Sequence, residues 1–163
     1  MLVSEAAVIN ASPLIFLSRG SHLDLLHHFA ESIHVPEPVA AEIRKRGSED
    51  ITVKTLDSVS WLEVIPAPAV PNVILEWGLG PGESSVLAMA RYRTHTVAII
   101  DDLAGRRCAA SLGVPVRGTL GIVLAAKNRG LIPSARAVME DLIQAGLYLS
   151  PPILGAALKR VGE

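Results

Sequence analysis

The chain has 163 residues, half of them apolar, with a formal net charge of −1 at neutral pH and a single cysteine. That length suits one domain that buries roughly two-thirds of its unfolded surface, and that composition excludes a disordered chain. Lone Cys108 excludes an intrachain disulfide framework, and the balanced charge leaves any nucleic-acid binding to local patches.

Ala6 to Ile9 reads as a first strand, stopping at Asn10-Ala11-Ser12-Pro13. Ser12 before Pro13 predicts a helix start there, because proline suits the first helical position. Leu14, Ile15 and Leu17 follow, and this helix ends near Gly20. Ser21 is the expected cap of a second helix through Phe29. Ile33 to Val35 is a brief strand, and Pro36 opens a helix in which Val39 and Ile43 share a face. Glu42 sits beside that face, and Arg44-Lys45-Arg46-Gly47 ends the helix. Glu49 to Ser58 reads as a helix, Trp61 to Ile65 as an alternating strand and Pro66 to Pro71 as a loop. Neither side of that loop is large enough for an independent core. Asn72 to Trp77 is a short helix closed by Gly78-Leu79-Gly80. Pro81 and Gly82 then lead into a helix from Glu83 to about Arg93, with Val86, Leu87 and Ala90 as its apolar stripe.

Val97 to Ile100 is a short apolar run that reads as a buried strand and ends abruptly in Asp101 and Asp102. A helix to Leu112 follows, and either acid suits its start; a cap needs one acid and not two. Of the pair, Asp101 is the better ligand and Asp102 the better cap. Then come a strand at Val114 to Val116, a helix from Thr119 to Asn128 ended by Gly130, and a helix capped by Ser134 that runs to Gln144 and Gly146. A last helix runs from Ser150-Pro151 to about Val161. Strands alternate with helices almost throughout, the pattern of a parallel sheet covered on both faces. Such sheets present side chains for ligands at their carboxyl edge.

Gly78 to Glu83 is not a phosphate loop, since it lacks both the preceding strand and a Gly-Lys-Ser/Thr sequence; it reads as a turn that delivers Glu83 to a helix start. His22, His27, His28, His34 and His95 show no zinc-like spacing, with surface or packing roles expected. No Gly-x-Ser-x-Gly elbow occurs. What remains is acidic: Glu42, Glu83, Asp101 and Asp102, with Asn10 at the end of the first strand. Hard oxygen donors suit Mg²⁺ or Mn²⁺, ions that activate water and steady a phosphodiester. Basic residues follow the acids: Arg44-Lys45-Arg46, Arg91 and Arg93, and Arg106-Arg107. Helix ends in solvent and phosphate contacts are the two roles open to them.

Val8 to Ile15, Val35 to Ile43, Gly80 to Ser85 and Ile100 to Arg107 resemble, in order, the successive motifs of the PIN-domain superfamily. They are most similar to a prokaryotic PIN-like branch related to the toxin ribonucleases of toxin–antitoxin systems. The resemblance implies a three-layer α/β/α sandwich with a mostly parallel sheet, one domain over 1–163, with 134–163 as a C-terminal helical extension. It also implies a Mg²⁺- or Mn²⁺-dependent ribonuclease site. Position by position, the acids fall on Asn10, Glu42, Glu83, and Asp101 or Asp102. The departure is Asn10, where active members usually carry Asp; an amide oxygen ligates a metal but brings no charge. Asn10 equally suits a hydrogen bond into the turn before the Ser12-Pro13 helix.

The expected function is a metal-dependent endoribonuclease of toxin type, with Asp101, Glu42 and Glu83 catalytic and holding the metal, and Asn10 and Asp102 completing the shell. Ser12, Arg106 and Arg107 are the expected nucleic-acid contacts. RNA is the expected substrate, with an antitoxin protein and a second copy of the chain as partners. The alternative is a catalytically degenerate module that binds RNA or a protein without cutting. A receiver-like phosphoacceptor fits poorly, because its acid pair follows the first strand. The last helix carries Ile153, Leu154, Ala157, Leu158 and Val161 at helical spacing, for core packing or a partner contact. No apolar run reaches membrane-spanning length. Met1 to Glu5 lacks the basic region of a signal peptide, so a reducing cytoplasm is the expected setting.

Overall fold

The computed structural model describes residues 4–163; Met1, Leu2 and Val3, part of the stretch read for a leader, lie outside them. In chain order the elements are β1 (Ser4–Ile9), α1 (Ala11–Arg19), α2 (Asp24–Phe29), β2 (Ala30–Pro36), α3 (Glu37–Arg44), α4 (Ile51–Ser58) and β3 (Leu62–Ile65). There follow α5 (Asn72–Leu75), α6 (Pro81–Tyr92), β4 (Thr96–Ile99), α7 (Leu103–Ser111), β5 (Val116–Arg117), α8 (Thr119–Asn128), α9 (Ala135–Gln144) and α10 (Pro151–Arg160). All five strands pair in parallel, in the order β3-β2-β1-β4-β5. This is the α/β sandwich the alternation predicts.

The parallel order explains the apolar runs. Ala7, Val8 and Ile9 of β1 and Ala98 and Ile99 of β4 have no exposed surface, because helices cover both faces of the central strands. The winding reverses between β1 and β4, and side chains just beyond the carboxyl ends of those strands open into a crevice at that point. Asn10 follows β1 directly and Asp101 and Asp102 follow β4 closely, so both chain segments arrive there. Asn10 N–H donates to Ile99 O (3.0 Å), locking the two strand ends together. Among the described residues, no helix is long and apolar enough to cross a membrane.

Several boundaries differ from the sequence expectation, each for a physical reason. The first helix begins at Ala11, with Asn10 rather than Ser12 as N-cap residue. Pro13 then sits at the third position, where its missing N–H is still one that a helix leaves unpaired. Ser21 does not cap α2; it adopts φ 63° and closes α1. His22 N–H donates to Leu17 O (2.9 Å) and Ser21 N–H to Ser18 O (3.4 Å), a Schellman turn with serine in the left-handed position. Glycine stands one residue earlier for packing, since a Cβ on Gly20 would come within 2.8 Å of Leu142 Cδ2. The fifth strand is Val116–Arg117 rather than Val114–Val116. Gly130 and Gly146 end α8 and α9 as expected.

Residues 134–163 are built into the body of the domain. Val138, Met139 and Leu142 of α9 and Leu158 of α10 are buried in the same cluster as the sheet, while Ile153 faces outward at 55% exposure. Glu163 fastens α10 to α9. Its carboxylate accepts from Ser134 Oγ (2.8 Å), Ala135 N–H (2.6 Å) and Arg136 N–H (3.2 Å), and stands 3.6 Å from Lys127 Nζ. It therefore fills the anion site at the start of α9. The Ala135 N–H leads in holding its pKa down at about 2.

The sign of that shift sets a test. A carboxyl whose folded-state pKa is depressed contributes stability above its ordinary value of 4.5, and loses it as pH falls towards about 2. Glu163→Gln is expected to melt a few degrees below the native chain at pH 7. The gap should narrow as thermal melts are repeated at successively lower pH.

Candidate metal centre

The crevice beyond β1 and β4 contains a cleft of about 490 Å³ lined by Asn10 and Ser12, by Pro38, Ala41, Glu42 and Lys45, and by Gly80 to Glu83. Each wall has a local cause. Pro36 and Pro38 start α3 and place Glu42 near its end, one turn after buried Val39 and beside it, so that both face the Gly82 turn of α6. Gly80 and Pro81 start α6, so Glu83 falls in its first turn, where the helix dipole favours a carboxylate. Asp102 is the N-cap of α7, its Oδ2 accepting from Gly105 N–H (3.1 Å).

Two glycines make the close approach feasible. A Cβ on Gly82 would lie 3.0 Å from Glu42 Oε2 and 3.3 Å from Asn10 Oδ1, so both oxygens stand over one bare turn of α6. A Cβ on Gly105 would lie 3.3 Å from Glu83 Oε2. Glycine inside a helix costs up to about 1 kcal/mol relative to alanine, and here it leaves room for oxygen atoms. Asn10 makes no side-chain cap bond, so the turn-stabilising role open to it in the sequence is not the one it takes. It is 5% exposed, and its Oδ1 is buried without a hydrogen-bond partner. Orphaned acceptors of this kind are rare and call for a reason such as an ion or water.

Electrostatics point the same way. Burial foremost raises the pKa of Glu83, followed by the charges of Asp102 and Glu42 and a hydrogen bond with the Asp102 carboxyl. Asn10, Glu42, Glu83 and Asp102 are thus one neighbourhood. Asp101 is engaged by Thr119: its Oδ1 accepts from Thr119 N–H and its Oδ2 from Thr119 Oγ1, both at 2.7 Å. Gly118, the N-cap residue of α8, has no side chain to cap with, and Asp101 supplies the carboxylate from beyond β4. Asp102 caps α7 as expected and in addition faces Glu83, so the two acids differ in their surroundings.

The basic clusters also separate. Arg44 pairs with Asp57 (3.2 Å) and Arg46 with Asp50 (2.9 Å), leaving Lys45 between them on the cleft wall. Lys45 lies three residues after Glu42, a helical spacing that places the two near one another and was legible in the sequence. Exposed Ser12 borders the cleft; Arg106 lines a second cleft, and Arg107 is exposed on α7. The histidines lie elsewhere: His22 bonds Asp141 (2.8 Å), His27 stacks on Trp61, and His34 stands between Arg93 and Glu63. Cys108 is buried, and burial raises its pKa, as suits a packing thiol.

No three His, Cys, Asp or Glu side chains among the described residues form a ready metal cage. The donors nonetheless fit a hard divalent ion. Mg²⁺ keeps several waters and binds through one or two carboxylates, and an orphaned amide oxygen beside crowded carboxylates offers that chemistry.

The chain matches a family profile described as a PIN domain over residues 6–163, and it belongs to that family. PIN domains are nuclease-type domains that typically bind RNA and generally use divalent metal ions. No curated protein matches the chain significantly.

Two substitutions probe the cleft. Gly82→Ala adds one methyl against Glu42 Oε2 and Asn10 Oδ1, and should weaken Mn²⁺ binding about ten-fold by calorimetry without lowering Tm. For Glu83, a raised pKa means the folded state is favoured at low pH and loses stability as pH rises from the ordinary 4.5 through the raised value. In chelator, Glu83→Gln should therefore melt slightly above the native chain at pH 7, with no difference in acid.

Proposed function

We propose that this PIN domain is a metal-dependent endoribonuclease of toxin type. The proposed ion is Mg²⁺ or Mn²⁺, held by Asn10, Glu42, Glu83 and the aspartates that follow β4. The observation that supports this reading most is the meeting of Asn10 Oδ1 and Glu42 Oε2 over Gly82, with Glu83 against Asp102, at the switch point of a parallel sheet. Bound there, a divalent ion supplies Lewis-acid polarisation of a phosphoryl oxygen and activation of water at neutral pH.

The chain's own residues position the reactants. Lys45 and Ser12, on the walls of the same cleft, suit contacts to the phosphate being attacked. Arg106 and Arg107 on α7 suit flanking phosphates. Asp101, through Thr119, holds the start of α8 next to the end of β4 and so fixes the backbone that carries Asp102. The toxin role, an antitoxin protein as partner, a homodimer and a cytoplasmic setting belong to the same reading, and rest on the likeness of the four sequence motifs to that branch.

A second reading is a degenerate module that binds RNA or a protein without cleavage. Asn10 favours it, because a neutral oxygen binds a cation less strongly than a carboxylate does.

Incubation of a mixed-sequence RNA with Mn²⁺ or with chelator tests both. Cleavage is expected with Mn²⁺ alone, falling roughly 100-fold in Glu42→Gln and in Asp102→Asn, the scale of losing one stabilising group. Asp101→Asn should also lower Tm, since it frees Thr119. Equal cleavage in chelator overturns the proposal. Cleavage that appears only in Asn10→Asp establishes the degenerate module.

A further inference from the structure

A second cleft, of about 320 Å³, lies beside the edge strand β5 and along α8. Three arginines from three elements line it: Arg106 of α7, Arg117 at the end of β5 and Arg160 at the end of α10. None of the three is in an ion pair or a side-chain hydrogen bond among the described residues. Glu163, three residues after Arg160, is taken by α9 and does not neutralise it. Three guanidinium groups around one concavity repel each other; the Asp101 carboxylate lies near Arg106 alone, and a ligand with anionic oxygens relieves the cost at Arg117 and Arg160.

Glycines shape this cleft as well. Arg117 Cδ lies 3.5 Å from where a Cβ of Gly121 would stand, so the side chain runs across a bare turn of α8. Asn128, two turns further along the same face, adds an amide at the far end. The near end meets the carboxyl edge. Asp101 Oδ1 and Arg106 Nη1 stand 3.1 and 3.3 Å from the Cβ position of Gly118, so one wall separates this cleft from the segment carrying Asp102. β5 is two strands from β1, about 10 Å across the sheet. A single extended polyanion can engage both clefts across that distance.

We propose that the Arg106–Arg117–Arg160 cleft binds backbone phosphate of the same single-stranded RNA whose scissile bond enters the acidic cleft. The proposal rests on the ribonuclease reading and adds where the strand runs: from the switch point over Gly118 and along α8. Phosphate contacts of this kind position a strand without reading its sequence.

The test measures binding of an end-labelled single-stranded oligouridylate in chelator, so that cleavage plays no part. Arg117→Gln and Arg160→Gln should each weaken binding several-fold. Each should also reduce the slope of log affinity against log salt by about 0.7, the value for one lost single-strand phosphate contact. Arg136→Gln, on the exposed face of α9, should change neither. Unchanged affinity and slope in both cleft variants overturn the proposal, even if the chain cleaves RNA. Loss of polyglutamate binding with RNA affinity unaltered makes the cleft a protein-facing surface, and inorganic phosphate that binds without displacing the oligouridylate makes it a free-anion site; either result also overturns it. If the variants lose RNA affinity but no metal-dependent cleavage is found, the cleft stands and the ribonuclease reading fails.

Discussion

The pairing of β1 with β4 is the constraint on which the acidic cleft depends. Ile9 stands opposite Ile99, and Asn10 N–H closes the register on Ile99 O. Because β1 also pairs with β2 on its other side, the winding reverses at this junction and no crossover helix covers the edge there. α3 and α6 then present Glu42 and Glu83 from one side and the turn after β4 presents Asp102. Remove the pairing and these residues have no reason to meet, since each is fixed only to its own element.

The cleft concentrates features that ordinary packing avoids. Asn10 has a buried oxygen with no partner, Glu83 is half-buried among like charges, and glycines occupy the first turns of α6 and α7. Individually each is a modest cost; together they lie in one place, while the sheet beneath is closely packed and apolar. Local rules that fail together at one site mark function rather than poor folding. Here the feature common to them is room and need for positive charge.

Charge is segregated far more than a net value of −1 conveys. Some cations are spent on structure: Arg44 with Asp57, Arg46 with Asp50, Arg93 with His34. Of the cations without a partner among the described residues, Lys45 stands beside the acidic cleft and three arginines stand together beside β5. Asp101 belongs to this sorting too. Two adjacent acids look equivalent in sequence, yet one is bound by Thr119 and the other faces Glu83, because successive residues leaving a strand point in different directions.

The alternation of strands and helices, the buried character of β1 and β4, the glycine ends of α8 and α9 and the identity of the acids were all legible in the amino-acid order. These are short-range properties, set by periodicity, caps and turn residues within a few positions. The misplaced starts of α1 and α2 show the limit even there: Asn10 rather than Ser12 precedes α1, and Ser21 closes α1 instead of capping α2. Arg117, Arg160 and Thr119 carried no local signal at all. By itself, the sequence determined the class of fold and which donors end each strand. Only the tertiary structure decided that β1 lies beside β4, that Asp102 rather than Asp101 faces Glu83, and that three arginines share a cleft. Parallel neighbours are chosen by long-range pairing and crossover packing, and those leave no mark on adjacent residues.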